Sequence, residues 1–295
     1  MFAQFFGSYL LNEGLVTRQQ LAKALDDKKN TKTRLGVLAI NAGYMTAGQV
    51  EFIHQVQSTV DKRIGDIAVE MGFVTKDQVE ELLSKQPQDY LVLGQTLVNN
   101  NVLTNAQFEK ALGDYKSCNS LSEDDLNGDK TDKLDKIIAD FYKVEGTADT
   151  ARYTTYLTLL LKNLIRFVGD DFTPLSASVV SDANYENTVG QKIKSDNTDG
   201  YTAICCDTDI YIKFAERFSE EKLDTADDFV NATVGEFLNL HNGLFIVNQS
   251  NEFGEEMTLE PQEFVYKTAV SFDKTTIDVP VAFSFGTVHF IISNI

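Results

Sequence analysis

The chain has 295 residues, 43% of them hydrophobic and 24% charged, enough for two ordinary domains of a soluble globular protein. It holds no run of eighteen apolar residues, so no membrane span is expected. The net charge of −18 is unevenly placed: residues 1–117 carry 12 Lys/Arg against 13 Asp/Glu, and the remainder 14 against 31. The second half should therefore repel nucleic acid polymers and anionic membranes and attract a partner with a basic face. The opening MFAQFFGSYLLNEG is apolar but has neither a basic start nor a cleavage site, and does not read as a secretion signal. The three cysteines, Cys118, Cys205 and Cys206, lack metal-ligand spacing, so neither a disulfide framework nor a zinc site is expected and a cytoplasmic location fits.

The first half is a fourfold repeat. Gly7, Gly36, Gly65 and Gly94 stand 29 residues apart. Seven residues after each comes Gly14, Gly43, Gly72 or Asn101; ten after each is a threonine (Thr17, Thr46, Thr75, Thr104); thirteen after each is a glutamine (Gln20, Gln49, Gln78, Gln107). Thr followed three residues later by Gln is a capping box, in which the hydroxyl accepts from a free backbone N–H and the amide reaches back to the cap. Apolar residues at helical spacing follow, as in Leu21 and Leu25, and the preceding Gly or Asn suits a left-handed helix end. Each unit thus predicts a short helix, a turn and a longer helix, and one unit cannot bury its apolar face alone. Residues 1–116 are expected to be all-helical.

The two middle units differ from the outer ones. Only they place an arginine two residues before the glycine, in Arg34-Leu35-Gly36 and Arg63-Ile64-Gly65, and only they close on glutamine, Gln57 and Gln86. Together with Gly43 and Gly72, these motifs resemble the tandem pattern of MshEN domains, the amino-terminal domains of type II secretion and pilus ATPases. The resemblance implies a ligand site for cyclic di-GMP at Arg34, Leu35, Gly36, Gly43, Gln57, Arg63, Ile64, Gly65, Gly72 and Gln86. A guanidinium can stack on a guanine or pair with phosphate, and glycine admits close backbone approach. His54, Ala39 and Ala68 depart from the family's larger aliphatics. No ATPase phosphate loop is present, so the chain is not itself a secretion motor.

Residues 117–132 (SCNSLSEDDLNGDKTD) read as an acidic linker. Glu123, Asp125, Asn127 and Gly128 partly match a calcium loop, but Lys130 and Leu134 break it, so a turn is expected. Residues 133–295 predict an α+β domain with a largely antiparallel sheet. Helical periodicity marks LDKIIADFYKV, ARYTTYLTLLLKNLIRFV, DIYIKFAERFSEE and TADDFVNATVGEFLNLHNGLFIV; ASVVS, YTAICCD, KTAVSF, IDVPVAFSF and TVHFIISNI read as strands. A hairpin is expected around Gly286-Thr287. The last of the helices should begin near Thr225 and bury a stripe of Phe229, Thr233, Phe237 and Leu240.

On that helix Glu236 and Asn239, three residues apart, project from one face, away from the core and with Asn239 packing against nothing. Val-Gly-Glu-x-x-Asn-x-x-x-Gly, ending at Gly243, is similar to the active-site helix of the CheX/CheC chemotaxis phosphatases, and the resemblance extends over roughly residues 150–295. It implies Glu236 and Asn239 as catalytic residues acting on the aspartyl phosphate of a CheY-like response regulator, with Mg²⁺ on that partner and no cofactor or metal on this chain. It also admits a homodimer. Ala232 stands where the family often has an acidic residue or serine, and Leu244 where relatives often have a polar one. Ala232 favours the alternative, a non-catalytic CheX-like adaptor or nucleotide-sensing interaction protein, while the intact Glu236/Asn239 pair favours the phosphatase.

Overall fold

A computed structural model describes residues 1–84, 87–121, 131–143, 150–196 and 199–295. The chain divides into two compact units, Phe2–Asp129 and Lys130–Ile295.

The described residues of the first unit are helical: α1 (Phe2–Asn12), α2 (Arg18–Asp27), a 3-10 turn (Lys28–Asn30), α3 (Leu35–Asn41), α4 (Ala47–Gln57), α5 (Ile64–Glu70), α6 (Lys76–Ser84), α7 (Asp89–Asn99) and α8 (Asn105–Cys118). Thr17, Thr46, Thr75 and Thr104 each begin the second helix of a pair. Each hydroxyl accepts from the glutamine N–H at 3.1–3.3 Å, and each glutamine oxygen accepts from the threonine N–H at 2.8–2.9 Å. Gly14, Gly43, Gly72 and Asn101 all have φ between +55° and +73°, ending the first helix of each pair.

The glycines at 36, 65 and 94 have a packing role. A Cβ on Gly36 would lie 2.7 Å from Val50, one on Gly65 3.3 Å from Val79, and one on Gly94 2.1 Å from Phe108. Each neighbour is fourteen residues on, in the longer helix of the same pair, so glycine sets how closely the two helices approach. The first and fourth pairs meet through aromatic rings: Phe6 contacts Tyr90, Phe108 and Tyr115 at centroid distances of 5.3–6.4 Å.

The predicted linker begins later than expected, because Ser117 and Cys118 complete the last turn of α8. The partial calcium motif at 123–128 lies outside the described residues, and Leu134 is a buried core residue of α9 (Thr131–Phe141).

The second unit continues with α10 (Thr150–Phe167), β1 (Phe172–Pro174), β2 (Ser178–Ala183), β3 (Asn187–Lys194), β4 (Asp199–Cys206), α11 (Thr208–Ser219), α12 (Asp228–Phe253), β5 (Thr258–Leu259), β6 (Glu263–Tyr266), β7 (Val270–Phe283) and β8 (Gly286–Ser293). The strands form one antiparallel sheet in the order β1-β7-β8-β4-β3-β5, with β2 also on β7 and β6 also on β3. The sheet thus agrees with the expectation, while its strands correct it. Residues 270–272 of KTAVSF and 277–283 of IDVPVAFSF belong to a single fourteen-residue strand, β7, and β1, β3, β5 and β6 are additional. Pro280 sits within β7 opposite the break between β1 and β2, where its missing N–H interrupts no ladder bond. The hairpin turn is Ser284-Phe285. Gly286 follows it with φ +142°, and a Cβ there would lie 2.5 Å from Ile210 of α11.

Helix α12 is capped by Asp227, whose carboxylate accepts from the N–H groups of Phe229 and Val230 at 3.1 and 3.0 Å, rather than by Thr225. Its buried stripe also differs from the expected one. Val230, Val234, Phe237, Leu238, His241, Asn242, Phe245 and Gln249 are buried, whereas Phe229 is 50% exposed. The stripe follows the 3.6-residue period from Val230, one residue later than expected.

Candidate functional site

Helix α12 packs against β3 along its buried stripe. Glu236 points to solvent, and among the described residues no group of this chain pairs with it. Asn239, one turn on, stands at the border between the exposed face and the stripe. It does not project freely: its Oδ1 accepts a 2.9 Å hydrogen bond from Nε2 of Gln191 on β3. The i, i+3 spacing gives both residues the same side of the helix, but the neighbouring strand draws Asn239 inward.

Gln191 is itself buried and part of a chain of polar side chains. Its Nε2 also donates to the backbone oxygen of Glu260 at 3.0 Å, and its Oε1 accepts from Nδ2 of Asn242 at 2.8 Å. Asn242 donates to Thr202 on β4 at 2.9 Å and accepts from the Tyr156 hydroxyl of α10 at 2.9 Å. Four elements therefore meet in one network beneath Asn239. A buried amide of this kind is stable only when its donors and acceptors are matched, as they are here. The sequence reading missed Gln191, Thr202, Tyr156 and Asn242. The signal was the placement of Asn242 at a core register of α12, where a polar residue requires a partner.

Gly235, immediately before Glu236, lets β6 approach the helix: a Cβ there would lie 3.1 Å from Phe264. Phe264 and Tyr266 of β6 remain 47% and 60% exposed. Beside them a cleft of about 580 Å³, lined among others by Asp209, Asp224 and Asn231, opens at the start of α12. Ala232 and Leu244 are both exposed, and a Cβ on Gly243 would meet nothing within 4 Å among the described residues.

In the first unit, Arg34 and Arg63 occupy equivalent positions as N-caps of α3 and α5. Both are exposed, and among the described residues neither guanidinium has a partner. The backbone N–H of Arg34 donates to Gln95 at 3.0 Å. Leu35 and Ile64 open the two helices and are half-buried. Gly36 and Gly65 are packing glycines, and Gly43 and Gly72 are left-handed helix ends. Gln57 donates to the backbone oxygen of Lys62 at 3.0 Å, closing the turn that leads to Arg63. Gln86 lies outside the described residues. Ala39 and Ala68 are buried in the helical core.

Cys205 and Cys206 are buried in β4, and burial raises both thiols, that of Cys205 to about 12, so they stay protonated near neutrality. Among the described residues no group of His, Cys, Asp or Glu is arranged to hold a metal ion, and no helix is long and apolar enough to cross a membrane.

Residues 189–285 match the family model described as chemotaxis phosphatase CheX. That stretch runs from β3 to the β7–β8 turn and contains Gln191, Glu236, Asn239 and Asn242. Similar solved structures include a CheC-like superfamily protein from Shewanella sp. PV-4, at 20% identity over 48% of this chain and 96% of that one, with a TM-score of 0.43. A chemotaxis protein CheX from Vibrio vulnificus is 16% identical over 47% and 95%, with a TM-score of 0.41. A CheX–CheY–BeF₃–Mg²⁺ complex from Borrelia burgdorferi contains a chain 16% identical over 48% and 96%, with a TM-score of 0.40. The comparison with curated proteins finds no match.

Proposed function

We propose that the C-terminal unit binds a phosphorylated, CheY-like response regulator and accelerates hydrolysis of its aspartyl phosphate. The observation that carries this reading is the family-model match over residues 189–285, which includes the helix bearing Glu236 and Asn239. Support also comes from the exposure of Glu236 and its lack of a partner among the described residues, which leave the carboxylate available for a lysine of the regulator. The regulator supplies the phosphoryl group and its Mg²⁺; this chain supplies position. The water oxygen forms the new P–O bond, and the aspartyl O–P bond breaks with its electron pair left on the regulator's carboxylate. The proton passes to the departing phosphate. Asn239 orients the water, and Glu236 holds α12 against the partner. Positioning and electrostatics are the main sources of rate in such transfers.

The test is phosphate release from a phosphorylated regulator with Mg²⁺. Wild type should accelerate it, and Asn239→Ala should remove about 100- to 1000-fold of that acceleration. Because Asn239 is bonded to Gln191, the variant's unfolding curve is measured beside its rate. A wild-type protein that leaves the regulator's own rate unchanged would sink the enzyme reading and favour an adaptor, for which Ala232 on the rim is the motivating departure.

A second reading concerns the helical unit and rests on Arg34 and Arg63, two exposed guanidiniums at equivalent caps. We infer that cyclic di-GMP binds across the second and third helix pairs, in the MshEN manner, and regulates the C-terminal unit. Arg34→Ala or Arg63→Ala should weaken binding by about 1.5–3 kcal/mol, the range for charge-assisted hydrogen bonds. Titration calorimetry without heat or competition at high micromolar nucleotide would leave both as ordinary surface charges.

A further inference from the structure

We propose that Gln191 is a positioning residue that fixes which end of the Asn239 carboxamide faces a bound regulator. The inference rests on the function proposed above and adds a residue and an orientation to it.

The orientation follows from the donor and acceptor capacity of each group. The backbone oxygen of Glu260 can only accept, so the Gln191 atom 3.0 Å from it must be the nitrogen. The second N–H of that nitrogen points to Asn239 at 2.9 Å, and Asn239 must therefore offer its oxygen. The other end of the Gln191 amide is its oxygen, which requires a donor and receives Nδ2 of Asn242. Asn242 then presents its own oxygen to the Tyr156 and Thr202 hydroxyls at 2.9 and 3.3 Å. One main-chain carbonyl thus sets the polarity of the whole network. Reversing Gln191 would bring its oxygen against that of Glu260, and reversing Asn239 alone would set two amide nitrogens against each other.

With its oxygen held inward, Asn239 turns Nδ2 outward, and among the described residues no group of this chain takes those N–H donors. The side chain therefore meets the partner as a donor. A water that accepts one of these hydrogen bonds through one lone pair keeps the other for phosphorus. Gln191 is 1% exposed and touches neither water nor regulator; it acts through Asn239. Each immobilised amide also removes side-chain freedom that would otherwise be lost when the transition state forms.

The experiment uses the full chain with its asparagine and glutamine side-chain amides labelled with ¹⁵N. In the wild type, the Asn239 Nδ2 protons should exchange readily with water while those of Gln191 are protected. The opposite pattern would overturn the orientation, whatever the activity. Two variants then test the positioning. Gln191→Leu removes every polar contact, and Gln191→Glu keeps the shape but cannot supply both N–H donors. In whichever folds, as judged by thermal unfolding, the order parameter of the Asn239 amide should drop below about 0.6, the range of flexible groups. The maximal rate of phosphate release should fall about 10- to 100-fold, as for a group displaced by about an ångström. The dissociation constant for the regulator loaded with beryllofluoride and Mg²⁺ should stay within about twofold, because Gln191 does not touch the partner. An unchanged maximal rate with a mobile Asn239, an Asn239 that stays rigid, or a loss confined to binding would each overturn the inference. A wild type without phosphatase activity would instead end the functional reading, while the exchange pattern still decides the orientation.

Discussion

His241 is fully buried in α12, with its ring edge-on to Tyr156 at a centroid distance of 4.4 Å. Nδ2 of Asn163 can only donate, so Nδ1 of His241, 3.1 Å away, accepts and the imidazole proton sits on Nε2. Among the described residues Nε2 has no hydrogen-bond partner. Charging the ring would force a proton between Nδ1 and the Asn163 N–H inside an apolar core, and desolvation alone lowers its pKa to about 3. The unfolded chain binds this proton near pH 6.5, so it holds more protons than the native state between pH 6.5 and 3. The native state therefore keeps its full advantage above about pH 6.5 and loses up to about 1.4 kcal/mol per pH unit as the pH falls toward 3. Urea denaturation at about pH 7.5 and pH 5 should reveal this slope, and His241→Phe should flatten it. An identical slope in both proteins would place the acid sensitivity elsewhere.

At the scale of elements, two glycines of similar appearance in the sequence have opposite meanings. Gly94 lies in α7, and a Cβ there would reach within 2.1 Å of the buried Phe108 ring, itself held by Phe6. Gly243 lies in α12, and beyond its own helix nothing among the described residues comes within 4 Å of its missing Cβ. Gly94→Ala should therefore destabilise the helical unit by about 1–3 kcal/mol through overpacking. Gly243→Ala should stabilise the C-terminal unit by about 0.5–1 kcal/mol, the usual gain in a helix interior. Denaturant midpoints of the two variants check both signs, and a stabilised Gly94→Ala would mean that the helix pairs do not pack as closely as described. If Gly243 instead serves close approach by a partner, its variant should be stable yet bind the regulator less well.

At the scale of the whole molecule, the chain joins a nearly neutral helical unit to a strongly acidic α+β unit. Much of this was legible because it depends on neighbours in sequence. Capping boxes act over three residues, left-handed glycines act at one, and an amphipathic helix repeats every 3.6 residues, so the helix pairs and α11 could be read directly. The Glu236–Asn239 spacing was legible for the same reason. What the sequence by itself did not determine were properties that depend on residues far apart in the chain. Gly190 and Gln191 interrupt the apolar pattern that would have marked β3, yet the strand is buried because Gln191 finds Asn239, Asn242 and the Glu260 carbonyl across 48 or more residues. The long strand β7 reads as two because the polar stretch after Phe272 interrupts its apolar pattern; Val270 and Ser271 pair with β2 before it, and from Thr276 onward the strand pairs with β2 and β8. Asn239 reads as a free surface amide, and only the approach of β3 turns its oxygen inward. Local chemistry fixed the helices and the candidate pair; long-range hydrogen bonding, which no local window contains, decided the sheet and the direction in which Asn239 points.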